Sequence, residues 1–366
     1  MSGDAAGRDE RDETGGGERD DDGSGSGGDG GAGSSGGGDG DAASESLTYY
    51  VDGDLVAAAD AAVSVRDRGF LYGDAAFETV RVYGGTPWRW DAHVDRLFGS
   101  LDRLGMPADE LGLTADGLRE RVDETLAANG LADASVRLSV TRGETDGFTP
   151  PPAAETEPTV VALVTPLPRG GRADRGGESV WDGPATLQTA KTRRVPDRSL
   201  PSDAKTHNYL NGVLARAETR VSDADEAVLL DADGDVAECA TANLFFVADD
   251  VVRTPSLAGP VLPGVTRRVV LDVVRDEGFP VEEGRYAPDD VRAADEAFIT
   301  SSIREIRPVG VYDGVTIGDD PEPGPVTRLV SRLYDQRVEA ACYGERGGAD
   351  ADSRDGPDAA DAGRDG

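Results

Sequence analysis

The sequence predicts a mixed α/β protein, of α+β type, in two unequal halves with a cleft between them. Three observations lead there. A middle stretch, 47–344, carries the large apolar residues, and both ends are polar and glycine-rich. Within it, β-prone runs punctuated by turn residues alternate with amphipathic helical repeats. A break rich in Pro, Arg and Gly, 166–183, divides it into a smaller half, 47–165, and a larger one, 184–344. Such a length accommodates two packed units at the usual ~100–200 residues each.

The smaller half opens with "LTYYVDGDLVAAADAAVSVRDRGFLYGDAAFETVRVYGGTPWRW", strands broken by turns. Asp52-Gly53 and Gly84-Gly85 stand between β-prone runs and predict hairpins. A helix follows, with Asp91 as expected N-cap and Val94, Leu97, Phe98 and Leu101 on one stripe. "GLRERVDETLAANG" is a second amphipathic helix, stopped by Gly130. "ASVRLSVTRG" and "PTVVALVTPL" read as strands.

The larger half begins with a strand in "ATLQTAKTRRV", then a helix through Leu210, Val213, Leu214, Ala217 and Val221. "EAVLLDADGDVAECATANLFFVADDVVRTP" is a meander of short strands. Its "DADGD" at Asp231 starts like a calcium loop but lacks the later spacing, so a hairpin turn is expected. "GVTRRVVLDVVRDEG" is a helix, "EAFITSSIREIRPVGVYDG" a strand, turn and strand, and "GPVTRLVSRLYDQRVEAAC" a closing helix.

Composition bounds the rest. The tails, 1–44 and 345–366, hold too little apolar surface to offset chain entropy, and are expected to be disordered. "GAGSSGG" at Gly31 matches a dinucleotide fingerprint in letters only, with no strand before it and no helix after. A net charge of −34 leaves no basic stripe for nucleic acid. There is no 18-residue apolar run and no charged-then-apolar start, so neither a membrane span nor a signal segment is expected. Cys239 and Cys342 make neither a disulfide framework nor a metal site, and a cytoplasmic setting is expected. Abundant carboxylates beside scarce lysine suit a folded protein adapted to concentrated salt. The long periodic segments argue against a disordered acidic interaction protein.

The scarcity of lysine singles out Lys205. Only Lys191 and Lys205 occur, against abundant arginine. A neutral amine can attack a carbonyl, whereas a guanidinium stays protonated and cannot. A chain that trades lysine for arginine must spare a catalytic one.

Lys205 and the following Asn208-Tyr209-Leu210 resemble the lysine motif of the class IV pyridoxal-phosphate aminotransferases. Five more stretches match that family in order: "GFLYGDAAFETVRVY", "HVDRL", "VAECATANLFFV", "LPGVTRRVV" and "TSSIREIRPV". The resemblance implies a fold type IV enzyme. Its small N-terminal α/β domain and larger domain with a barrel-like sheet would hold pyridoxal 5'-phosphate in the cleft between them. It implies that Lys205 bonds the cofactor and carries protons. Arg96 would clamp the phosphate, with Val265, Thr266, Ser302 and the Ile303 N–H as further donors. Glu238 would hold the ring nitrogen, Leu262 would pack on the ring, and Tyr209 would lie near the cofactor oxygen. Tyr72, Phe77 and Arg137 would face a small-molecule substrate, and a homodimer is implied. No metal is expected. His93 is read as a packing group, or one that supports a neighbouring site residue, rather than a catalyst.

Three chemistries share this scaffold. D-amino acid enzymes carry an arginine and a histidine shortly after a Thr-Arg-Gly strand end, and "TRGETDGFTPPP" has neither after Arg142. "ECATANLF" resembles the 4-amino-4-deoxychorismate lyases, which release pyruvate and 4-aminobenzoate, and this is the favoured expectation. Arg137 stands where some branched-chain aminotransferases keep a carboxylate-binding arginine, which makes those the alternative.

Overall fold

Asp52 and Gly53 both adopt positive φ (48° and 108°) and close the first hairpin, from β1 (Thr48–Val51) to β2 (Asp54–Ala57). The computed structural model describes residues 46–169 and 181–344. The glycine-rich ends, the Gly31 motif and the middle of the 166–183 connection lie outside the described residues. From Ala42 onward the chain is one unit: the two predicted halves are two sheets, and Tyr83 and Trp88 of the smaller half pack into a core of the larger one.

A one-turn helix, α1 (Arg68–Tyr72), precedes β3 (Ala75–Tyr83). Gly84 and Gly85, both at positive φ, turn the chain back into β4 (Thr86–Pro87). Then come α2 (Trp90–Arg103), α3 (Ala115–Asn129), β5 (Ala134–Thr141) and β6 (Val160–Pro166). The six strands form an antiparallel sheet in the order β2-β1-β6-β5-β3-β4. Val94, Leu97 and Leu101 of α2 join Leu118, Val122 and Leu126 of α3 in one core over it. Asp91 is not the N-cap of α2. Arg89 occupies that place in the left-handed region, and Asp91 sits in the first turn, where its charge favours the helix start. Gly130 closes α3 at positive φ, as expected.

The larger half runs β7 (Ala185–Thr189), α4 (Leu210–Thr219), β8 (Glu226–Leu230), β9 (Val236–Cys239), β10 (Asn243–Ala248) and β11 (Val251–Pro255). It continues with α5 (Val265–Asp276), β12 (Val281–Gly284), α6 (Pro288–Arg292), β13 (Glu296–Ser301), β14 (Glu305–Tyr312), β15 (Val315–Thr316) and α7 (Pro325–Cys342). The order is β12-β11-β10-β13-β14-β7-β8-β9, with β15 on β14. β9, last in that order, returns against β10 and β11, so the sheet curls into a half-barrel. Phe245 and Phe246, adjacent in β10, serve cores on opposite faces, one shared with α5 and α7. Asp231 to Asp235 forms the expected hairpin turn between β8 and β9, closed by Asp231 N–H to Asp235 O at 2.8 Å.

Two features position the site. Segment 203–208 docks on the smaller sheet: Thr206 bridges Ala76, the Phe77 N–H donates to Lys205 O (2.9 Å) and the His207 N–H to Ala75 O (2.9 Å). Helix α4 follows directly. Its apolar stripe faces outward, with Leu210, Val213 and Leu214 at least half exposed, and it buries Ala215 and Thr219 instead.

Candidate active site

The lysine segment, the β9–β10 turn, the start of α5 and the β13–β14 turn converge on a cavity of about 450 Å³. That volume lies in the ordinary range for a small ligand. Lys205, Arg96, Tyr209, Glu238, Leu262, Val265, Thr266, Ser302, Ile303, Phe77 and Arg137 all line it. Residues from seven separated stretches therefore meet. Tyr72 does not join them: it lies on exposed α1, edge-on to Phe148 at 5.5 Å between centroids.

Lys205 Nζ donates to the Tyr209 hydroxyl across 3.2 Å and stands over the Phe77 ring, 4.5 Å from its centroid. Tyr209 meets Phe77 edge-on at 5.4 Å. Two aromatic faces thus fence the amine.

Arg96 reaches the cavity from α2 and is held by a fork. Its Nε and Nη2 donate to Glu78 Oε1 and Oε2, each at 2.7 Å, and Nη1 donates to Pro263 O at 3.0 Å. Glu78, on β3, is wholly buried. Burial alone would raise its pKa. Arg96 and His93 overcome this and hold it at about 2. Burial lowers the pKa of His93, and against the ionised carboxylate its Nδ1–H donates to Glu78 Oε2 at 2.6 Å. His93 thus sits behind Arg96, bonded to Glu78, and does not line the cavity.

Glu238 lies at the end of β9, and it is buried rather than on a wet face. Arg194 Nε donates to its Oε1 (2.9 Å), and the Leu262 N–H (3.0 Å) and Asn243 Nδ2 (3.4 Å) donate to its Oε2. Burial raises its pKa, and Arg194 opposes the rise.

Helix α5 starts behind Gly264 with no side chain capping it. Its first N–H groups, from Val265 and Thr266, are those an anion would meet. A Cβ on Gly264 would run into Asn243 Oδ1, so only glycine fits. Across the cavity Ser302 and Ile303 sit in a turn, with no helix after them, which removes any N-capping role for Ser302. Thr300 Oγ1, buried on the same wall, has no partner among the described residues.

Arg137 comes from β5 and stacks its guanidinium on Phe77, 3.7 Å from the centroid. It makes no ion pair among the described residues, and burial lowers its pKa.

Glu78, Arg194, Asn243 and Thr300 escaped the sequence reading. The pair Glu78 and His93 carried one faint signal: a charged residue in the apolar run "AAFETVRVY", and one of only two histidines.

Residues 75–312 match the family described as Amino-transferase class IV. The chain belongs to the class IV aminotransferases. It is thus an enzyme of a pyridoxal 5'-phosphate-dependent family. A Methanocaldococcus jannaschii protein, provisionally named branched-chain-amino-acid aminotransferase, is 38% identical over 286 residues, covering 78% of this chain and 94% of that protein. The Bacillus subtilis aminodeoxychorismate lyase is 33% identical over 309 residues, covering 82% and 97%. The branched-chain aminotransferase of the archaeon Thermoproteus uzoniensis, solved with norvaline, has a TM-score of 0.71 at 28% identity, covering 80% of this chain and 94% of that one. The residues present fit the cofactor. One amine can bond an aldehyde, a buried carboxylate can hold a ring nitrogen, and an uncapped helix start beside Arg96 can receive a phosphate.

Proposed function

We propose that this enzyme transaminates branched-chain amino acids with a keto-acid acceptor. The observation that carries the reading is Arg137: a half-buried guanidinium without an acidic partner among the described residues, stacked on Phe77 in the cavity that holds Lys205. A substrate carboxylate satisfies it, and Phe77 and Leu200 offer apolar walls to an alkyl side chain.

When bound, the cofactor supplies a sink for the electron pair left on the substrate's α-carbon. Arg96, the α5 start, Ser302 and Ile303 would hold its phosphate, and Leu262 would pack on its ring. Glu238, where Arg194 opposes the rise that burial causes, would hold the ring-nitrogen proton. Lys205 Nζ, beside the Tyr209 hydroxyl, would take the α-proton from the substrate and deliver it to the cofactor's carbon. Nothing after Arg142 supplies the arginine and histidine of a D-amino acid enzyme.

A second reading is the 4-amino-4-deoxychorismate lyase. Ala240 and Ala242 line the cavity with small, uncharged side chains, leaving room for a ring-bearing substrate. Purified enzyme given leucine and 2-oxoglutarate should form glutamate, and Arg137→Met should raise KM for leucine. Pyruvate from 4-amino-4-deoxychorismate, with no glutamate from leucine, would replace the first reading by the second.

The exposed Phe70, Leu71, Tyr72 and Phe148 adjoin the outward stripe of α4, since Asn208 Nδ2 donates to Gly73 O at 3.0 Å. So much apolar surface on an acidic chain supports a homodimer. Light scattering that gives a monomer mass would refute it.

A further inference from the structure

Ser100 stands one helical turn after Arg96 on α2, so both side chains share a face. It is completely buried. Its hydroxyl donates to Arg96 O at 2.8 Å and accepts from the Lys205 N–H at 2.8 Å. A serine hydroxyl has one proton and two lone pairs. Here the proton goes to its own helix and a lone pair goes to the lysine segment. On the other side, Lys205 O accepts from the Phe77 N–H at 2.9 Å. The main chain of Lys205 is therefore pinned from two directions, by α2 and by β3. Alanine would suit the helix better, and a serine that bonds back to the i−4 carbonyl slightly weakens it. The hydroxyl serves the contact across the cleft.

We propose that Ser100 is a positioning residue that fixes the register between Arg96 and Lys205. The inference rests on Lys205 being the lysine that bonds the cofactor. The groups that receive the two ends of that cofactor, phosphate and aldehyde, are then joined through one hydroxyl. Removing it leaves the Lys205 N–H without its acceptor, and the amine loses its fixed distance from Arg96. Phosphate capture does not depend on that distance, whereas bond formation does.

The test separates the two. Wild-type protein is first loaded with pyridoxal phosphate, reduced with borohydride and peptide-mapped. An adduct anywhere but Lys205 removes the underlying reading, whatever Ser100 does. Wild type and Ser100→Ala are then compared with pyridoxal phosphate and with pyridoxine phosphate, which lacks the aldehyde. We expect pyridoxine phosphate affinity to stay within about twofold while the rate of lysine bonding to pyridoxal phosphate falls about tenfold or more. An unchanged bonding rate overturns the proposal. So does an equal loss with both compounds, which marks general loosening. Should Ser100→Ala fail to fold, Ser100→Cys, similar in size but a weak acceptor, enters the same comparison with the same outcomes.

Discussion

The Tyr209 hydroxyl lies 3.2 Å from Nζ of Lys205, although Lys205 is docked on the smaller sheet and Tyr209 opens α4, which packs on β8 of the larger. The contact follows from the chain's path, because β3 holds Lys205 in place while Tyr209 sits at the start of α4.

Lys205→Ala should abolish turnover and the visible absorbance of the bound cofactor, and Lys191→Ala should leave both. Tyr209→Phe should keep the colour and lower the rate by about tenfold or more, the usual order for one positioned hydrogen bond. A borohydride adduct on Lys191 would undo this assignment.

Glu238→Gln should retain the cofactor and slow the chemical step. Arg194→Met should act through Glu238. Burial already raises that carboxyl and Arg194 restrains it, so removing the arginine raises it further. The ionised form then appears only at higher pH, and the acid limb of the rate profile moves upward. A limb that stays in place would disconnect Arg194 from the chemistry.

Stability should fall with acid through the histidines. His207 is held down at about 4, by burial and then by Arg137, from an ordinary 6.5. The unfolded chain therefore binds the extra proton first. The contribution is whole above pH 6.5 and is lost as pH drops toward about 4. His207→Gln should flatten that window by on the order of 1 to 2 kcal/mol, read from urea midpoints at each pH. Parallel curves for the two proteins would count against it. His93, also lowered, adds a slope of the same sign.

Melting temperature should climb with potassium chloride. At −34, carboxylate repulsion is strong at low ionic strength, and about 1 M salt shortens its reach to roughly 3 Å. A melting temperature indifferent to salt would remove the case for salt adaptation.

Much of this could be read from the chain alone, for identifiable reasons. Lys205, Arg96 and Glu238 stand in local patterns, and a local pattern survives in a linear string. Their partners do not. Glu78 lies 18 residues from Arg96, Arg194 lies 44 from Glu238 and Ser100 lies 105 from Lys205, so only folding joins them. Periodicity found α4 but could not say which way its stripe faced, because the same repeat suits a core and an outward face. Helix α1 is one turn long, too short for periodicity; its sole cue is Asp67, whose side chain caps Gly69 N–H. Tyr72 sits on that helix, away from the cavity that the family resemblance suggested for it.

The bridge between Thr206 and Ala76 has a bearing on biogenesis. The reactive amine belongs by sequence to the larger half but hangs from the smaller one. A nascent chain with one sheet unfinished has no rail on which to mount it. Competence therefore arrives late, as a coincidence signal that both halves are complete. A stray aldehyde meets a properly aimed amine only in a finished molecule, and cleavage into halves would disarm the enzyme even with each piece intact.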